Sequence, residues 1–92
     1  MNKIRAHITI AGKVQGVYYR QEMKRQANAL GVTGWVQNKP NGDVEAVLEG
    51  TQQVVDNLII WCRRGPQLAD VTGVLVDWET QKDEFYGFTI RG

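Results

Sequence analysis

A chain of 92 residues is too short to fill two independent cores, so one domain spanning 1–92 is expected. Its 42% hydrophobic and 23% charged residues exclude disordered, collagen-like and low-complexity classes. Eleven Lys and Arg against ten Asp and Glu leave a net charge of +1, which excludes a basic surface for nucleic acid or acidic membranes and makes any anion site a local one.

From Arg5 to Ala11 the residues alternate, with Ala6, Ile8 and Ile10 on one side and Arg5, His7 and Thr9 on the other, the period-two pattern of a half-buried strand. The loop Gly12-Lys13-Val14-Gln15-Gly16-Val17 follows. Tyr19, Met23, Ala27 and Leu30 then recur at helical spacing, and Gly31 suits the left-handed position that ends a helix. Val32 to Gln37 and Val44 to Glu49 read as two antiparallel strands, joined at Lys39-Pro40-Asn41-Gly42, where Asn-Gly supplies the positive φ of a tight hairpin. Thr51 is placed to cap a second helix, with apolar face Val54, Val55, Leu58, Ile59, Trp61 and Cys62 and stop signal Gly65-Pro66. Val71 to Trp78 gives a fourth strand, with Val74, Val76 and Trp78 on one face. Tyr86 to Arg91 gives a short fifth, with Tyr86, Phe88 and Ile90 on one face.

The order is therefore βαββαβ plus a short C-terminal strand. That is an α+β, ferredoxin-like split βαβ sandwich with two helices on one face of an antiparallel sheet. Its loops must carry function, since this architecture hosts many.

Cys62 is the only cysteine, which excludes an internal disulfide and multi-cysteine metal centres and favours a reducing, cytoplasmic setting. His7 is the only histidine, which excludes histidine-rich metal sites; it is expected to face solvent without a catalytic role. No window approaches the about 18 apolar residues of a membrane span, and no secretory h-region follows Met1. Asp43 and Glu45 are read as a solvated face, Cys62 as a small core residue, and the three tryptophans as packing residues.

The loop before helix one places two glycines and Arg20 at a helix start. Glycine lets successive N–H groups converge on an oxyanion, the helix N-terminus adds donors and a favourable dipole, and the guanidinium offers a planar fork to phosphate oxygens. By spacing alone, an ordinary strand-to-helix connection with an exposed arginine explains the segment somewhat better. It is not a Walker loop, since Val14 follows Gly12-Lys13, and it is not a dinucleotide fingerprint.

Taken together, Gly12-Lys13-Val14-Gln15-Gly16-Val17-Tyr18-Tyr19-Arg20, Leu30-Gly31-Val32-Thr33-Gly34-Trp35-Val36-Gln37-Asn38, Asn41-Gly42-Asp43-Val44-Glu45 and Gly65-Pro66-Gln67-Leu68-Ala69-Asp70-Val71 closely resemble the acylphosphatase family. The four motifs stand in order and at family spacing over nearly the whole chain. Tyr19 replaces the family's usual Phe, and Asn41-Gly42 its commoner Asp-Gly; the Tyr19 hydroxyl is expected either to tune the site or to reach solvent.

The resemblance implies metal-independent hydrolysis of the carboxyl-phosphate bond of acyl phosphates, without a cofactor. Arg20 and the backbone of Gln15, Gly16, Val17, Tyr18 and Tyr19 would bind the phosphate, and Asn38 would position the attacking water. The implied partner is a small acyl phosphate, with neither nucleic acid nor membrane, and a monomer is expected. Two rivals were open to the same fold. A phosphate-sensing module would not need the Asn38 amide, and an RNA-binding domain would carry a basic surface and a Lys/Arg-Gly-aromatic signature.

Overall fold

The computed structural model describes residues 2–91. Strands β1 (Lys3–Lys13), β2 (Thr33–Asn38), β3 (Val44–Thr51), β4 (Asp70–Glu79) and β5 (Phe88–Arg91) alternate with helices α1 (Tyr19–Leu30) and α2 (Gln52–Arg64) as the sequence pattern predicts. The strands form one sheet in the order β4-β1-β3-β2-β5.

Both helices cover the face that carries Ala6, Ile8 and Ile10. α1 lies over β2 and β5, and α2 over β1, β3 and β4. Helical spacing explains the fit: Tyr19, Met23 and Ala27 of α1 and Val55, Leu58, Ile59 and Cys62 of α2 are buried against that face. Ile8, Ile10, Leu48 and Leu58 are wholly shielded, and each such side chain stabilises the packing by roughly 1.5–3 kcal/mol. Gly31 ends α1 in the left-handed conformation, and the following Val32 N–H reaches back to the Ala27 carbonyl. Thr51 stands at the N-cap of α2, but its hydroxyl makes no capping bond.

The sheet is mixed, not the antiparallel one expected. β5 pairs parallel to β2, with Gly34 opposite Phe88 and Val36 opposite Ile90. The reason is topological. β4 lies on one edge of the sheet and β5 on the other, and both the end of β4 and the start of β5 lie at the end of the sheet where β1 begins. The 80–87 segment therefore crosses the sheet rather than turning back on it. Tyr86 falls in this crossing and is exposed; of the C-terminal strand residues only Phe88 is buried.

This crossing passes over the face opposite the helices. The Lys82 N–H donates to Glu49 at 2.9 Å, and Arg5 lies 5.1 Å from the Phe85 ring centre. Arg5 belongs to the outward face, as its alternation indicates, yet it is buried with Glu49. Further along the same face His7 Nε2–H donates to Glu45 at 2.6 Å, and Gln37 Nε2–H to the other oxygen of that carboxylate at 2.8 Å. His7 and Glu45 are thus partly buried partners, not solvated side chains. Trp35 lies on this face under the Arg91 guanidinium, Trp61 packs on Tyr19, and Trp78 is half exposed.

Candidate active site

β1 and β2 both run antiparallel to the β3 between them, so their C-terminal ends emerge at the same end of the sheet. That end receives the 14–18 loop from β1 and Asn38 from β2. β1 continues two residues further than the alternation suggests, through a bulge at Ala11/Gly12. Gly12 has φ +121°, and a Cβ there would stand 2.1 Å from the Asp70 carbonyl oxygen, so only glycine lets β1 bend toward the loop beside β4.

Val14 and Val17 anchor the loop in the core, each almost fully buried, and leave Gln15 and Gly16 between them, and Tyr18 after them, nearer the surface. Gly16 takes φ +75°, and a Cβ on it would meet no atom within 4 Å, so the space beside its backbone is open. Tyr18 takes the left-handed conformation at φ 64°, ψ 23° as the N-cap of α1. For a tyrosine this costs about 1–2 kcal/mol, and such strain gathers at functional turns. The first N–H groups of α1, at Tyr19, Arg20 and Gln21, have no acceptor within the helix, which begins its bonding with Glu22 N–H to Tyr18 O at 3.1 Å.

Val14, Gly16, Tyr18, Tyr19, Arg20 and Gln21 together line a pocket of about 220 Å³. Among the described residues this lining carries no carboxylate. A larger hollow of about 670 Å³ lies between α1 and the end of α2, but Glu22 and Arg25 on its wall already pair with each other at 3.6 Å. Arg64 also lines it, so its wall is of mixed charge.

Asn38 closes β2 opposite Val44. Its Oδ1 is buried and accepts no hydrogen bond, and no other buried side-chain polar atom among the described residues is left so. An unpaired buried acceptor costs about 1–3 kcal/mol unless a group from outside the chain, such as a water, meets it. No group of three or more His, Cys, Asp or Glu side chains stands together as a metal site among the described residues.

The turn after Asn38 differs from the expected Asn-Gly hairpin. Gly42 N–H bonds the Lys39 carbonyl at 3.1 Å and Lys39 N–H bonds the Asp43 carbonyl at 2.8 Å, and positive φ is confined to Gly42. Pro40 takes the second position of this turn, where its fixed φ fits, and the Asn41 side chain accepts from the Asp43 N–H.

The Tyr19 hydroxyl neither tunes the site nor reaches solvent. It donates to the Cys62 carbonyl at 2.6 Å in the core. That carbonyl would normally accept from the N–H four residues on, but residue 66 is proline and has none. Burial is the main cause that drives the Tyr19 hydroxyl's pKa well above its ordinary value, and burial likewise pushes the Cys62 thiol up to about 12. Pro66 four residues after Cys62 was the sequence signal for this bond. The Gln15 side chain also has a role beyond the backbone role expected of it, since it donates into the turn after Asn38.

Residues 6–90 match the acylphosphatase family. The chain is 50% identical to the acylphosphatase of Pelotomaculum thermopropionicum, over 98% of each chain. It is also 50% identical to that of Thermococcus kodakarensis, over the whole of both. The structure of an acylphosphatase from Coxiella burnetii superimposes with a TM-score of 0.93 at 37% identity, covering 98% of this chain and 94% of that one.

Proposed function

Since the chain belongs to the acylphosphatase family and is an acyl phosphate hydrolase by that membership, we propose that its 14–20 segment binds the phosphoryl group and Asn38 directs water to it, without a metal. The observation that supports this reading is the meeting, at one end of the sheet, of a pocket lined by Arg20 and the start of α1 and a buried amide oxygen that accepts no hydrogen bond among the described residues.

The chemistry needs little more. The leaving group is a carboxylate whose conjugate acid has a pKa of about 4, so no general acid must protonate it. Arg20 and the N–H groups of the loop and of the first turn of α1 gather charge on the phosphoryl oxygens, which in phosphoryl transfer is most of what a protein supplies. Asn38 holds a water in line with the departing carboxylate. The water oxygen bonds to phosphorus, the bond to the acyl oxygen breaks with its electron pair on the carboxylate, and the water's proton passes to a phosphate oxygen. A pocket lined by a cation and N–H donors favours an anion over a metal cation, which supports the metal-free course. The lone thiol supports a cytosolic setting and the length of 92 residues supports one domain, and a monomer is proposed with them.

Benzoyl phosphate hydrolysis with excess chelator tests the proposal. Wild-type turnover should persist, while Arg20→Gln and Asn38→Ala should each lose about a hundred- to a thousandfold. Full activity in both variants would overturn the site assignment, and loss of wild-type turnover to chelator would overturn the metal-free course. A wild type that binds phosphate without turnover would favour a sensing module.

A further inference from the structure

Gln15 is half buried between two core anchors, and its carboxamide points away from solvent into the β2–β3 turn. One Nε2 donates to both the Lys39 carbonyl at 2.8 Å and the Asp43 carbonyl at 2.9 Å. Each of these oxygens already accepts a backbone bond that closes the turn, from Gly42 and Lys39 respectively. A carbonyl has a second lone pair, and a planar NH₂ carries two diverging hydrogens, so one side chain satisfies both. Lys39 directly follows Asn38.

We propose that Gln15 is a positioning residue whose carboxamide fixes Asn38 against the phosphate-binding loop and acts on turnover through it. The inference rests on the assignment of Arg20 and Asn38 given above. Three features support it. The clamp joins the only two segments that carry the assigned roles. It is a side-chain contact between residues 24 and 28 positions apart, where no strand pairing joins the loop to the turn. No shorter or donor-free side chain could replace it, since a carboxylate would set oxygen against oxygen and asparagine would fall short. The backbone N–H of Gln15, assigned to the phosphate, is untouched by any change to its side chain.

Gln15→Ala and the volume-conserving Gln15→Met should be assayed with benzoyl phosphate, alone and combined with Asn38→Ala, together with the competitive inhibition constant of inorganic phosphate. If either variant folds poorly by circular dichroism, the other carries the test. Because a displacement of about 1 Å in a reacting group costs about a hundredfold, kcat should fall about 10- to 100-fold in each single variant. Phosphate inhibition should stay within about threefold, and in the Asn38→Ala background the Gln15 changes should add less than about threefold, as for residues that act as a unit. Unchanged kcat, a loss confined to phosphate affinity, or an equal further loss in the Asn38→Ala background would each overturn the inference. Full activity in Asn38→Ala alone would instead overturn the underlying site assignment, and the two failures are read from different variants.

Discussion

An arginine stands at each end of the β1 strand's reach, Arg5 near its start and Arg20 just past its end, and their surroundings differ in kind. Arg5 is enclosed by carboxylates: Glu84 at 2.7 Å, Glu79 at 3.1 Å and Glu49 at 3.3 Å. Burial alone would lower its pKa, but the hydrogen bonds to Glu84, Glu49 and Glu79 outweigh this and leave it raised. Its donors are committed to the protein's own anions. Arg20 lines a pocket without a described carboxylate, beside backbone that curls through positive φ. Arg5 is a staple within the protein's own ionic cluster, whereas Arg20 stands at a loop and helix start that line an open pocket.

Substitution should separate the two arginines. Arg20→Gln should cost about a hundred- to a thousandfold in turnover, with a smaller effect on urea unfolding than Arg5→Gln. Arg5→Gln should do the opposite, destabilising the chain by about 3–5 kcal/mol because Glu49 loses a buried partner, with benzoyl phosphate turnover kept within a few-fold while the chain is folded. A large activity loss in Arg5→Gln without unfolding would show that the two ends are coupled.

Next in size is Tyr19→Phe, which restores the family's usual residue. It leaves the Cys62 carbonyl buried with neither Tyr19 nor an N–H at Pro66, so a loss of about 1–3 kcal/mol is expected in urea unfolding with turnover intact. The Cys62 thiol, held at about 12 by burial, should react with a thiol reagent only on opening, and faster in this variant. A fall in turnover without a fall in stability would return the hydroxyl to the active site.

The smallest effect concerns Glu45. The hydrogen bond from Gln37, then that from His7, hold its carboxyl below the ordinary value. A depressed folded-state pKa stabilises above the unfolded value of about 4.3, and the contribution is lost as pH falls through the folded one. Between about pH 5 and pH 3, Glu45→Gln should therefore lose less thermal stability than wild type. Equal acid sensitivity of the two proteins would place the stabilising carboxylates elsewhere, with the Arg5 cluster the first to examine.

Local patterns showed every element in order, because two- and four-residue periodicities report which face a side chain takes. They did not show what crosses that face. Arg5 alternates outward whether water or the 80–87 segment covers it, and Glu45 looks solvated until β1 and β2 bring His7 and Gln37 to it. The all-antiparallel sheet failed for the same cause: the parallel β5 depends on which edge is free, a non-local property. In the candidate site, glycine spacing and a helix start are local and bring the loop and Arg20 together, whereas their proposed phosphate role came from the family resemblance. The Gln15 clamp was not legible, since its acceptors are main-chain atoms that no side-chain pattern encodes.

In the proposed reaction, water held at the Asn38 end of the sheet attacks phosphorus while the acyl carboxylate departs. Hydrolysis of benzoyl phosphate in ¹⁸O-enriched water, with both products analysed by mass spectrometry, tests it directly. The account predicts the label in inorganic phosphate and none in benzoate, and label in benzoate would contradict it.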